Sequence, residues 1–221
     1  MNPTPEKTSV MAPFILMLFL YFIVGLFTVI NQQFQVPLKS ALLPHDGNMT
    51  NALVTLLNFS WFLAYPFSEG FATRWVDRLG YRKTSVYSLL IFIVGLGFYE
   101  AAVLLHIYAP SYITIMGNPI FTGFFVFLSG SFVIGMAVTI LQVVTGLYLD
   151  VNPVGKTTPL QRQMIGGTTN SIGMAIGPLV VSYIIFYGIP LHNVQSREFI
   201  WPVICLIAII CIFTLITARI K

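Results

Sequence analysis

The sequence predicts an all-α integral membrane protein of six transmembrane helices, built as two three-helix units. Three observations carry this reading. First, 57% of the 221 residues are hydrophobic and 8% charged, far from the roughly one-quarter charged of soluble domains. Second, six apolar stretches, 12–36, 49–69, 84–106, 119–149, 162–188 and 199–218, are each long enough to cross about 30 Å of hydrocarbon. These runs are apolar on every side instead of alternating, which suits helices that close their own backbone hydrogen bonds and excludes barrel strands. Third, Lys and Arg are unevenly shared among the connections. With the N-terminus inside, Lys7, Arg74, Arg78, Arg82, Lys83, Lys156, Arg162, Arg219 and Lys221 are cytoplasmic, and only Lys39 and Arg197 are outside. Such a split places both termini in the cytoplasm and the chain in the inner (plasma) membrane as a multi-pass protein. The net charge of +4 is the by-product of that bias, so no nucleic-acid partner is read into it.

The first span follows a short polar segment with no cleavable signal and is expected to act as its own insertion signal. It ends in "NQQFQVPLK", an unusual concentration of amides for a helix in lipid. The second span carries Asn58, Trp61, Tyr65 and Pro66; the third holds Glu100 near its outer end. The fourth offers Thr139, Gln142 and Thr145, and the fifth Gln163, Thr168, Thr169 and Asn170. Gly166, Gly167, Ser171, Gly173 and Gly177 in the fifth span invite close approach of a neighbouring helix. The cysteines of the sixth span, Cys205 and Cys211, are about 600° apart around the helix and point to different sides. They are read as packing residues. His45, His106 and His192 are all expected in outer loops.

Asn58 stands eight residues before Pro66, as Asn170 does before Pro178. Because the first and fourth spans start on opposite sides, a repeat of residues 1–106 in residues 107–221 would be inverted, a three-plus-three arrangement used by secondary transporters. Each proline removes a backbone donor and bends its helix, freeing a carbonyl where a cavity or hinge can use it.

Polar side chains inside a bilayer are expensive and turn toward protein or water. Asn31, Gln32 and Gln35 share a broad face of the first helix, with Gln33 on the adjoining side. Amides donate and accept at once, which matches the hydroxyls of a polyol, while Trp61, Tyr65 and Tyr21 offer flat faces for a sugar ring. The competing reading is that the amides join helices to one another. The candidate solute-binding set is Asn31, Gln32, Gln33, Gln35, Asn58, Trp61, Gln142 and Asn170. An integral-membrane enzyme would need an embedded nucleophile, a metal set or an acid pair; the sequence shows none, and no cofactor or metal is expected.

Between the second and third spans, Asp77-Arg78-Leu79-Gly80-Tyr81-Arg82-Lys83 resembles the D-R-x-G-x-R-K core of the loop signature of the major facilitator superfamily. The resemblance implies a six-helix half of that fold, working by alternating access. It also implies a conformational latch of Asp77, Arg78, Gly80, Arg82 and Lys83, in which the acid meets a helix N-terminus and a neighbouring Arg. Thr73 stands where the family usually has a Gly. Within the superfamily, "NQQFQVPLK" looks like the end of the first helix in the fucose/glucose-galactose permease branch. On that match Gln33 stands in place of a membrane-embedded Asp implicated in proton coupling, and Gln142 in place of a substrate-facing Glu. Arg162, Asn170, Ser171 and Gly173 match the branch's pattern. Since Gln cannot titrate, the expectation is transport of a small neutral solute, a monosaccharide above all, that is facilitated or coupled elsewhere. A six-helix half needs a second half, either a homodimer mate or a carboxyl-terminal partner. The alternative is a non-transporting membrane sensor or assembly partner that keeps the half-permease fold.

Overall fold

The computed structural model describes residues 11–43, 48–115 and 117–219; Lys7, His45 and Lys221, used above for topology, lie outside them. In chain order the elements are α1 (Met11–Gln33), α2 (Gln35–Leu42), α3 (Asn48–Tyr108), β1 (Tyr112–Ile115), β2 (Asn118–Phe121), α4 (Gly123–Val151), α5 (Pro159–Leu179) and α6 (Arg197–Arg219). Among the described residues, five helices are long and apolar enough to cross a membrane.

The longest of them, α3, has 61 residues and would extend about 90 Å if straight. It is not straight. Gly80 sits at φ 78° and ψ 168°, a conformation open to glycine alone without strain. The two arms it separates both lie along α4: a Cβ added at Gly135 would stand 2.6 Å from the Trp61 carbonyl oxygen, and one at Gly130 would stand 2.9 Å from that of Gly95. The chain therefore reverses at Gly80 and returns beside itself. The expected loop at 70–83 shrinks to this one residue, because "GFATRWVDRL" contains no proline to end the preceding helix.

Helix α4 is the centre of the bundle, with 61% of its most apolar window buried, against 22% in the α5 stretch and 28% in α6. The outer two consequently present much of their apolar surface outward. Helices α1 and α5 touch backbone to backbone. A Cβ on Gly173 would collide with the Phe22 carbonyl, and one on Gly25 with the Asn170 carbonyl, which is the small-residue packing the fifth span foretells.

Both ends of the α4–α5 turn are tied by side chains. Arg162, only 3% exposed, donates from Nε to the Leu149 carbonyl at 2.6 Å and from its two terminal nitrogens to the Asp150 and Thr157 carbonyls at 2.7 and 2.8 Å. It satisfies carbonyls that the end of α4 leaves without helical partners. Thr158 and Gln161 form a reciprocal capping box at the start of α5, contributing about 1 kcal/mol.

Several boundaries differ from expectation. The first helix stops at Gln33 and resumes at Gln35, leaving Phe34 as a joint whose ring is buried against Tyr99, Phe186 and Phe199. Residues 119–121, expected in the fourth span, belong to β2, antiparallel to β1 with Tyr112 opposite Phe121; Gly117, at φ 80°, supplies the turn. After Pro178 the ladder loosens into a π-helical stretch, Val180–Ile185, as expected where a helix loses a donor. His106 is not in a loop. It lies in the last turn of α3, edge-on to Phe121, with Nδ1 2.8 Å from the Ser196 hydroxyl.

Candidate functional site

The amide-rich end of α1 meets its neighbours at a single carboxamide. Asn31, 2% exposed, donates from Nδ2 to Asn58 Oδ1 at 3.3 Å. Its own Oδ1 accepts from the Tyr99 hydroxyl at 3.1 Å and the Ser131 hydroxyl at 3.0 Å. One side chain thus links α1 to both arms of α3 and to α4. Tyr99 is held in turn by stacking on Phe127, ring centroids 3.7 Å apart. Drawn from four segments, this network joins helices, and Asn31 spends its hydrogen bonds on Asn58, Tyr99 and Ser131.

Two recesses flank it. The inner one, about 330 Å³, is lined by Tyr21 of α1, Tyr65 and Glu69 of the first α3 arm, and Thr139, Gln142 and Gly146 of α4. Its size falls at the small end of the range for ligand pockets. Within it the Tyr65 hydroxyl donates to Gln142 Oε1 at 3.4 Å. The Thr139 hydroxyl is occupied by the Gly135 carbonyl at 2.8 Å, so it adds shape more than bonding. That leaves an amide, two phenols and one carboxylate able to meet a polar solute. The outer recess, about 780 Å³, lies at the opposite end of α1. Gln35, Lys39, Ser40, Asn51, Thr55 and His192 supply its polar lining.

The expected set is therefore divided among three environments. Gln142 and Gln35 line the recesses. Asn31 and Asn58 belong to the interhelical network, and Asn170 donates from Nδ2 to the Tyr21 carbonyl at 3.0 Å, stitching α5 to α1. Trp61 is 1% exposed, so its ring offers no face to a solute; its indole N–H has no partner among the described residues. Gln32 and Gln33 are half-buried and line neither recess. In the expected latch, Asp77, Arg78, Arg82 and Lys83 are exposed and Gly80 is partly covered, with Gly80 shaping the reversal.

Two features escape a reading of the sequence. Glu69, the last residue of the expected second span, lines the inner recess one helical turn after Tyr65, and that i, i+4 spacing was the available signal. Tyr99 and Ser131, the partners of Asn31, carried none. No cluster of three or more His, Cys, Asp or Glu side chains suited to a metal occurs among the described residues.

Neither a protein-family model nor a curated protein matches the chain. Among solved structures, the inward-open xylose transporter XylE from E. coli superposes with a TM-score of 0.63 at 14% identity, over 96% of this chain and 48% of that one. The likeness shows a shared fold. This chain spans about half the length of that transporter.

Proposed function

We propose that the chain is a six-crossing half of a membrane transporter for a small neutral solute, most plainly a monosaccharide, working by alternating access with a second half. The observation that carries the reading is the inner recess. Tyr65, Gln142, Tyr21 and Glu69 converge from three helices at a size fit for a sugar, with hydroxyl and amide groups that both donate and accept. The half-length likeness to a sugar transporter supports the same conclusion.

Six crossings follow from counting the two arms of α3 separately. The inverted repeat gains support from the two asparagines that stand at matching places in it: Asn58 and Asn170 both reach α1, one through Asn31 and the other through the Tyr21 carbonyl. Cytoplasmic termini are supported by Arg74, Arg78, Arg82 and Lys83, which flank the Gly80 reversal at the end of the bundle where α1 starts and α6 finishes. In this reading the solute-facing residues are Gln142 and Gln35 with Tyr65, Tyr21 and Glu69, while Gln32 and Gln33 turn toward the path when the halves rock. The charged reversal serves as the latch. Gln33 and Gln142 cannot carry a proton, so transport is facilitated or is coupled at another residue.

Counterflow of labelled monosaccharide in proteoliposomes tests this. Flux from the chain alone identifies a homodimer, and flux only after co-reconstitution with a carboxyl-terminal half identifies a split transporter. Absence of flux in both, with a sugar-induced thermal shift retained, would convert the protein into the sensor of the alternative reading.

A further inference from the structure

A third recess, about 350 Å³, opens at the end of the bundle where α1 begins. Its walls come from four segments: Pro13, Leu16 and Met17 of α1, Leu79 through Lys83 at the α3 reversal, Tyr148 of α4 and Thr217 of α6. Leu16, Met17 and Tyr148 are nearly fully buried and make an apolar floor. The Thr217 hydroxyl is turned away onto the Phe213 carbonyl at 2.7 Å, and Tyr81 packs edge-on to Tyr148 at 5.4 Å. Apart from the Tyr81 and Tyr148 phenols, the polar side chains left to meet a ligand are at the rim, where Arg82 and Lys83 are exposed. The shape is an apolar slot with two cations at its mouth.

We propose that this recess binds an anionic glycerophospholipid, with the phosphate at Arg82 and Lys83 and the start of an acyl chain along Leu16, Met17 and Leu79. A sugar is excluded by the floor, which offers almost nothing to hydrogen-bond. A free anion would satisfy the rim and leave the slot unused. The inner leaflet is where negatively charged headgroups concentrate, and basic pockets between helices on that side capture them. The placement rests on the orientation given above under the proposed function. Because Gly80 sets the reversal, a lipid seated there would brace the two arms of α3 against α1 and α6.

The test uses the full chain in phosphatidylcholine vesicles containing a minority of phosphatidylglycerol, so that both leaflets are anionic and neither orientation nor transport enters the readout. Spin-labelled phosphatidylglycerol and phosphatidylcholine are compared for the fraction immobilised by the protein. The wild type is expected to prefer phosphatidylglycerol. Arg82→Gln and Lys83→Gln should each reduce that preference about fivefold, the effect of one basic side chain at a charged surface. Leu79→Asp, at a position already 37% exposed and so compatible with folding, should abolish it by placing a negative charge on the slot wall. Inorganic phosphate competing away the labelled lipid would show an anion site with no lipid slot, and overturn the proposal. So would a preference that survives all three substitutions but falls in Arg74→Gln, since the attraction would then belong to the general basic surface.

Discussion

The Tyr65 hydroxyl and the Gln142 carboxamide meet at 3.4 Å across the gap between the first arm of α3 and α4. At that length the bond is weak, and both groups line a recess, so each can exchange its partner for a solute hydroxyl at little cost. Gln142→Ala is expected to reduce counterflow by about tenfold, and Tyr65→Phe by less, since a neutral hydrogen bond contributes roughly 0.5–1.5 kcal/mol. Both variants should retain wild-type thermal stability in detergent. A large stability loss with normal flux per folded molecule would instead make the pair a structural tie.

Asn31 should behave in the opposite way. Its replacement by Ala strands the buried Tyr99 hydroxyl and takes one partner from Asn58 and one from Ser131, which keeps its bond to the Leu57 carbonyl at 3.1 Å; a buried polar group left without a partner costs about 1–3 kcal/mol. Thermal unfolding of Asn31→Ala is expected well below the wild type, while the half-saturation concentration of the folded fraction changes little.

Contact between α1 and α5 depends on glycines. Gly173→Ala forces a methyl into the Phe22 carbonyl and is expected to destabilise the protein by about 1–3 kcal/mol through overpacking. Gly167→Ala, on the same helix with open space around it, should be neutral or slightly stabilising. Equal melting temperatures for the two variants would show that α5 does not sit against α1 as described.

Glu69 is the carboxylate of the inner recess. Acting as an acceptor for solute hydroxyls, it should be replaceable by Gln with a modest rise in half-saturation concentration. Glu69→Ala should raise it about tenfold, because hydrogen bonds to charged groups contribute about 1.5–3 kcal/mol. In the wild type, a proton ionophore should leave counterflow unchanged.

Much of the architecture was legible in the apolar runs, and a close neighbour for α5 was legible in Gly173 and Gly177, though not that the neighbour is α1. The reversal was legible only as a signature around Gly80. Nothing in the flanking sequence told that helix would persist to within one residue of it, since a loop and a continuing helix share the same charged composition. The amide cluster shows a sharper limit. Helical spacing groups Asn31 with Gln32 and Gln35 on one face, but that face crosses from a protein interior to an opening at Phe34, and periodicity cannot see which segments lie opposite. Asn31 therefore reads as a solute ligand until Tyr99 and Ser131, 68 and 100 residues away, are brought to it. Trp61 is likewise buried, with its backbone carbonyl close against Gly135 of α4, a neighbour that periodicity does not reveal.

The most direct measurement is the aqueous accessibility of position 142. In a background of Cys205→Ser and Cys211→Ser, Gln142→Cys should react with a membrane-impermeant thiol reagent, and saturating monosaccharide should slow that reaction. The control Phe62→Cys, on an exposed apolar surface, should be indifferent to sugar. If position 142 is inert to the aqueous reagent, or reacts at one rate with and without sugar, the inner recess is no part of a solute pathway.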